Sequence, residues 1–158
     1  MLIGKPTLNS YNDSILRTVP EIVDDLRIAL GVKLVAYIAG VSEARTIRQW
    51  AEAVGRPTPA VEERLRLTHR IVIMIRQSEG KAIMPTWFQG MNPQLGDRSP
   101  ARVLHEDSFE EAGERVLAAA NAFVGATDRQ PSAVERIISR HLEPDQINAS
   151  TITPNRPS

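Results

Sequence analysis

Apolar residues recur along this chain at intervals of three and four, broken by residues that start or stop helices. Val19, Ile22, Val23, Leu26 and Leu30 share one stripe at that spacing, which predicts a helix over 19–30. Thr18-Val19-Pro20-Glu21 has the spacing of a capping box at its start, and Gly31 can end it in a left-handed turn. A short helix fits 33–39 and stops at Gly40. Ser42 can cap a third helix to about Val54, closed by Gly55 and the Pro57/Pro59 pair. Thr58-Pro59 opens a long helix to about Glu79. Its stretch from Leu65 to Ile75 is apolar on nearly every side, so this helix is expected to be central and buried. Ile71-Val72-Ile73 is dense enough in β-branched residues for a strand, but no second strand pattern exists to pair with it, so helix is preferred.

Beyond Gly80 come a short segment with Trp87 and Phe88 and a turn-rich stretch from Gly90 to Pro100. Ser99-Pro100 and Ser108-Phe109-Glu110-Glu111 are two further helix starts. The helix 109–124 is expected to bury Phe109, Val116, Leu117, Ala120, Phe123 and Val124 and to end at Gly125. A third capping box, Ser132 to Glu135, opens a helix to about Leu142. The tail after it has too little apolar content to fold alone. The expected fold class is all-α.

Composition adds limits. With 158 residues, 42% apolar and 24% charged, the chain suits one sizeable domain or two small ones sharing a core. The longest apolar run, Ile71 to Ile75, is too short to span a bilayer, and the start lacks the apolar core of a secretory signal. Zero cysteines exclude disulfides and thiolate metal sites and fit a reducing cytoplasm. A net charge of zero argues against indiscriminate coating of nucleic acid. The charge is unevenly spread, however: residues 32–70 carry seven Lys/Arg against four Asp/Glu, and 71–158 carry nine against eleven.

The positive share falls on the most informative motif, Leu34 to Trp50. A helix-turn-helix needs a small residue where its two helices cross, a glycine or similar at the turn, and apolar residues pinning the second helix. Ala36 and Gly40 meet the first two needs; Ile47, Trp50 and Val54 are expected to meet the third. That stripe leaves Arg45, Arg48, Gln49 and Glu52 on the opposite face. Arginine pairs with guanine and glutamine with adenine in two-pronged geometry. Ser42, Glu43, Ala44 and Thr46, around the start of the second helix, sit where such helices meet bases or backbone. The predicted partner is therefore a double-stranded DNA operator. The alternative for the same residues is a plain helical hairpin with a solvated basic face.

Trp87, Asn92-Pro93, Leu95-Gly96, Ser99-Pro100 and Leu104, followed by Val116, resemble the toxin-binding domain of the Xre/MbcA/ParS antitoxin family. Val41 to Trp50, with its Ile–x–x–Trp ending, is similar to that family's DNA-binding segment. The resemblance covers roughly 20–125. It implies a dimer that represses its own operon and neutralises a co-encoded toxin, commonly a RES-domain toxin that degrades NAD. The expected organisation is a leader 1–17, a helix-turn-helix region 18–57, a toxin-binding and dimerisation domain 58–125, and a C-terminal helix with tail 126–158. Trp87, Phe88, Asn92, Gln94, Leu95, Arg98 and Arg102 are the expected partner contacts, and Asp97-Arg98 is expected to be a solvated turn pair. For the two aromatics, burial in the core is the competing reading. The apolar helices 19–30 and 59–79 are the candidate surfaces for a homodimer.

Catalysis is not expected. His69, His105 and His141 stand apart, without the spacing of a metal site, and no Gly-rich phosphate loop or nucleophile elbow occurs. No cofactor is expected. Two other readings compete: a stand-alone or prophage-borne transcriptional regulator whose second domain only dimerises, and a protein–protein adaptor with a vestigial helix-turn-helix.

Overall fold

Four of the described helices begin where a side chain can satisfy amides that a helix start leaves unpaired. In the computed structural model, which describes residues 16–79 and 83–128, Thr18 donates from its amide and its hydroxyl to Glu21 Oε2, at 2.8 and 2.9 Å. This box opens α1, Val19–Leu30. Thr58 Oγ1 accepts from the Val61 amide at the start of α4, Pro59–Glu79. Ser99 Oγ accepts from the Arg102 amide to open α6, Pro100–Glu106, and Ser108 Oγ accepts from Glu111 to open α7, Phe109–Asp128. Between them lie α2, Val32–Ala39, α3, Ala44–Ala51, and α5, Met84–Gln89, with a single 3-10 turn at Pro93–Leu95. The described residues contain no strand, and the fold is all-α.

Burial follows the apolar stripes. Val19, Ile22, Val23, Leu26 and Leu30 turn inward from α1, and α4 buries Leu65, Leu67 and every residue from Ile71 to Ile75, confirming helix over strand there. Helix α4 packs on α1 and α7, and α1 also packs on α3. A second layer of contact joins α2 to α6. There His105 stacks on Tyr37 with ring centroids 4.3 Å apart, and His105 Nδ1 lies 2.6 Å from the Tyr37 carbonyl. One cluster of buried side chains therefore runs from Val19 to Ala120, unbroken across 57/58, where the reading of the sequence divides two regions. The apolar stripes of α1 and α4 are taken up in it, while Ile28 of α1 stays exposed.

One polar cluster lies between α1 and α4 with its histidine buried and its arginines reaching the surface. His69 has no exposed side-chain surface, and its Nε2 lies 2.8 Å from Asp25 Oδ2. Arg76 donates to Asp25 Oδ1 at 3.1 Å, and Arg17 approaches Oδ2 at 3.8 Å. Burial pushes the His69 pKa down, against the pull of the Asp25 carboxylate. For Asp25, burial acts to raise the pKa, but bonds from Arg76 and His69 outweigh it and hold the carboxyl below its ordinary value. The result is a neutral imidazole beside a charged carboxylate.

Three expectations need correction. Phe109 is 40% exposed: as the first residue of α7 it lies beyond the edge of the core. Leu117, Phe123 and Val124 only partly bury against the core, whereas Val116 and Ala120 bury fully. Helix α7 also runs through Gly125 to Asp128; that glycine does not adopt the left-handed conformation that ends a helix. The expected helix from Ser132 to Leu142, the tail and most of the leader lie outside the described residues.

Candidate nucleic-acid and partner surfaces

The turn between α2 and α3 is four residues long, Gly40 to Glu43. Gly40 adopts φ 74°, a left-handed conformation that costs an L residue about 1–2 kcal/mol. This lets the Val41 amide reach the Ala36 carbonyl at 3.0 Å while the Gly40 amide reaches Tyr37 at 3.1 Å. These two bonds close α2 in a Schellman motif and aim the chain into α3. Arg64 of α4 braces the turn from behind by donating to the Ile38 carbonyl at 3.3 Å.

Helix α3 is pinned by Ile47 and Trp50, both buried. Val54 does not join them. The helix ends at Ala51, and Ala53 takes a left-handed φ of 59°. The Val54 amide then returns to Gln49 at 2.7 Å and the Ala53 amide to Trp50 at 3.1 Å. This second Schellman turn swings Val54 out to 55% exposure. At the other end the cap residue is Glu43, not Ser42, and it makes no side-chain cap bond. The Thr46 amide turns to the Glu43 carbonyl at 3.1 Å, which leaves the Ala44 and Arg45 amides without an acceptor among the described residues.

Arg45, Arg48 and Glu52 are exposed along the outer side of α3, with Gln49, Ala44 and Thr46 half-buried beside them. Ser42 and Glu43 are exposed at its entrance. The side chains of Arg45, Arg48 and Glu52 are engaged with nothing else among the described residues. Arg45 and Glu52 lie seven positions apart, about 10 Å along the helix axis, which fits within the roughly 12 Å breadth of a DNA major groove. A cavity of about 450 Å³ lies on the other flank of α3, between Trp50, Ala53 and Arg56 and the Val19-Pro20 start of α1. It adds nothing to the arginine face.

The seven expected partner contacts divide. Phe88 and Leu95 are fully buried and Trp87 nearly so, so the aromatics belong first to the core. Trp87 meets Phe88 edge-on at 5.1 Å and tilts against Phe123 of α7 at 6.0 Å. The turn that follows is rigid: Asn92 Oδ1 accepts from the Gln94 amide at 3.0 Å, and the Asn92 carbonyl accepts from Leu95 and Asp97 at 2.9 and 3.0 Å. Gly96 and Asp97 are both left-handed.

Arg98 is not a solvated turn residue. It forms a two-pronged pair with Asp107, at 2.7 and 3.1 Å, and reaches Glu106 at 3.0 Å. Arg102 also binds Glu106, at 2.9 Å, and Arg115 binds Asp107, at 3.3 Å. The bond from Arg98 is the main reason the Asp107 carboxyl sits below its ordinary pKa, and Asp107 correspondingly raises that of Arg98. This network ties the turn to the α6–α7 joint, which sequence spacing gave no reason to expect.

What remains open is a groove of about 330 Å³ over α5 and α7. Trp87 forms its floor, Ala122 and Phe123 one wall, and Met91, Pro93 and Gln94 the other. Met91 is 81% exposed at its rim, a residue absent from the expected contacts. No helix among the described residues is long and apolar enough to cross a membrane. The described residues also hold no cluster of potential metal ligands. No family model matches the chain, and neither a curated protein nor a solved structure matches it.

Proposed function

We propose that this chain is a DNA-binding regulator of the antitoxin kind, which reads a duplex operator with α3 and holds a partner protein with its second half. The observation that carries the DNA half is the division of α3: Ile47 and Trp50 are buried, while Arg45 and Arg48 stand exposed with no partner among the described residues. A glycine turn of four residues sets the helix behind α2, as a helix-turn-helix requires. The Ala44 and Arg45 amides at its start suit a phosphate. One such helix offers few base contacts, so the reading includes a cytoplasmic homodimer on paired half-sites.

The partner half rests on the resemblance to the Xre/MbcA/ParS toxin-binding domain and on the groove at Trp87, Met91 and Phe123. The partner is a toxin encoded beside this gene, of the NAD-degrading RES class. The reading contains no catalytic step. The Asp25–His69 pair is an acid–histidine contact, but its imidazole has no exposed surface for a substrate to reach.

Two measurements test the reading. Selection of duplexes from a randomised pool should enrich one sequence, and Arg45→Ala and Arg48→Ala should each weaken binding to it by about 1–3 kcal/mol with unchanged circular dichroism. Binding equal to the parent in both variants rejects α3 as the reader. Co-expression with the adjacent open reading frame should copurify a complex that Met91→Glu or Gln94→Ala weakens. Operator binding with no captured partner leaves the stand-alone regulator as the function.

A further inference from the structure

Glu52 stands where two separate rules of stability and affinity disfavour a carboxylate, and the one cation near it on the helix offsets little. It caps the C-terminal end of α3, where the helix dipole presents negative charge. It follows Arg48 by four residues, the weaker order for a helical ion pair, and no such pair forms. On the helix it projects between Arg48 and Gln49, so it belongs to the exposed face proposed to meet a polyanion. Glu43 differs: at the N-terminal cap a carboxylate is favoured by the dipole. A local choice that opposes stability at a surface position points to a role at that surface.

A carboxylate in a major groove has one good partner among the bases, the amino group of cytosine, and it repels the phosphates of any duplex that does not seat it. We propose that Glu52 is a specificity-determining residue: it accepts a hydrogen bond from cytosine N4 in the operator and weakens binding to every other sequence. The two arginines supply attraction to any duplex, and Glu52 subtracts from it wherever the cytosine is missing. The net charge of Arg45, Arg48, Glu43 and Glu52 is zero, in keeping with a face that depends on base contacts more than on phosphate charge.

This inference rests on the DNA-reading function, and its test separates the two. Duplexes are selected from a randomised pool with the parent and with Glu52→Gln, and each protein is then titrated with its selected duplex and with the unselected pool. Glutamine keeps the shape and prefers adenine. The expected outcome is that one cytosine enriched by the parent becomes adenine in the variant. Affinity for the unselected pool should rise roughly three- to tenfold at low salt, as one like charge is removed from the phosphates. Glu110→Gln, an exposed carboxylate at the start of α7 and outside the proposed reading face, is the control and should leave that cytosine in place. Identical selected sequences overturn the base contact, even if pool affinity rises. Unchanged pool affinity overturns the repulsive role. A parent that enriches no sequence rejects the DNA-reading function, and this inference with it.

Discussion

Ala53 ends the proposed recognition helix in a left-handed conformation, φ 59°, that is strained for alanine and not for glycine. Replacing it with glycine therefore isolates one backbone term. The left-handed conformation costs an L residue about 1–2 kcal/mol. Glycine removes that strain but adds freedom to the unfolded chain, about 0.4–1 kcal/mol in the opposite direction. Ala53 is exposed, so its methyl contributes little packing, and both bonds of the turn are made by amides that glycine retains. The net expectation is a gain of roughly 0.5–1 kcal/mol. With an ordinary urea dependence, the unfolding midpoint should rise by about 0.3–0.7 M at constant slope. Ala51→Gly, still inside α3, should move the midpoint the other way, because there glycine only loosens a helix. DNA affinity should not change with Ala53→Gly, since the outer face of α3 is untouched. A midpoint that stays or falls refutes the account of how this helix ends.

Other expectations follow from burial and charge. Ile47→Ala removes a fully buried side chain and should cost about 2–5 kcal/mol, so that duplex binding and thermal stability fall together, unlike the arginine variants. Acid should weaken the fold in two stages. His69 has a lowered folded pKa, so stability falls once the unfolded histidine protonates, below about pH 6.5. Asp25, also lowered, adds stability that is present above about pH 3.9 and lost as pH falls through its folded value. His69→Gln should flatten the first stage in a series of thermal melts, and an unchanged profile there assigns the loss to other groups. Arg98→Ala should lower Tm by at most a few degrees, with the difference shrinking at high salt; a salt-independent loss shows that packing, and not the pair with Asp107, was removed.

The elements were legible where a cap and a stripe agree. Thr18 with Glu21 marks the start of α1, and the spacing from Val19 to Leu30 names its buried face. The all-round apolar stretch of α4 likewise announces a central helix. Ends were harder. Val54 continues the stripe of Ile47 and Trp50 on paper, and only the left-handed turn at Ala53, which alanine does not advertise, takes it off the core. Gly125 misleads in the opposite sense, as a helix-stopping residue inside a helix. For the surfaces, the outer face of α3 follows from which residues are pinned. The pairing of Arg98 with Asp107, nine residues away, depends on how the turn folds back on the α6–α7 joint. The exposed Met91 beside a buried Trp87 depends on the same fold.

The unbroken core from Val19 to Ala120 has a consequence for the lifetime of the protein. A chain whose proposed reader and partner-holding halves had separate cores could open one half for cleavage while the other stayed folded. Here α1 is packed against both α3 and α4, and α2 against α6, so exposing either half to a protease requires opening most of the molecule. Where cleavage tracks the equilibrium population of the open form, anything bound to one half protects peptide bonds in the other. A ligand at one hundred times its Kd lowers that population about a hundredfold. Occupancy of either proposed surface would then set how long the residues that share this core survive.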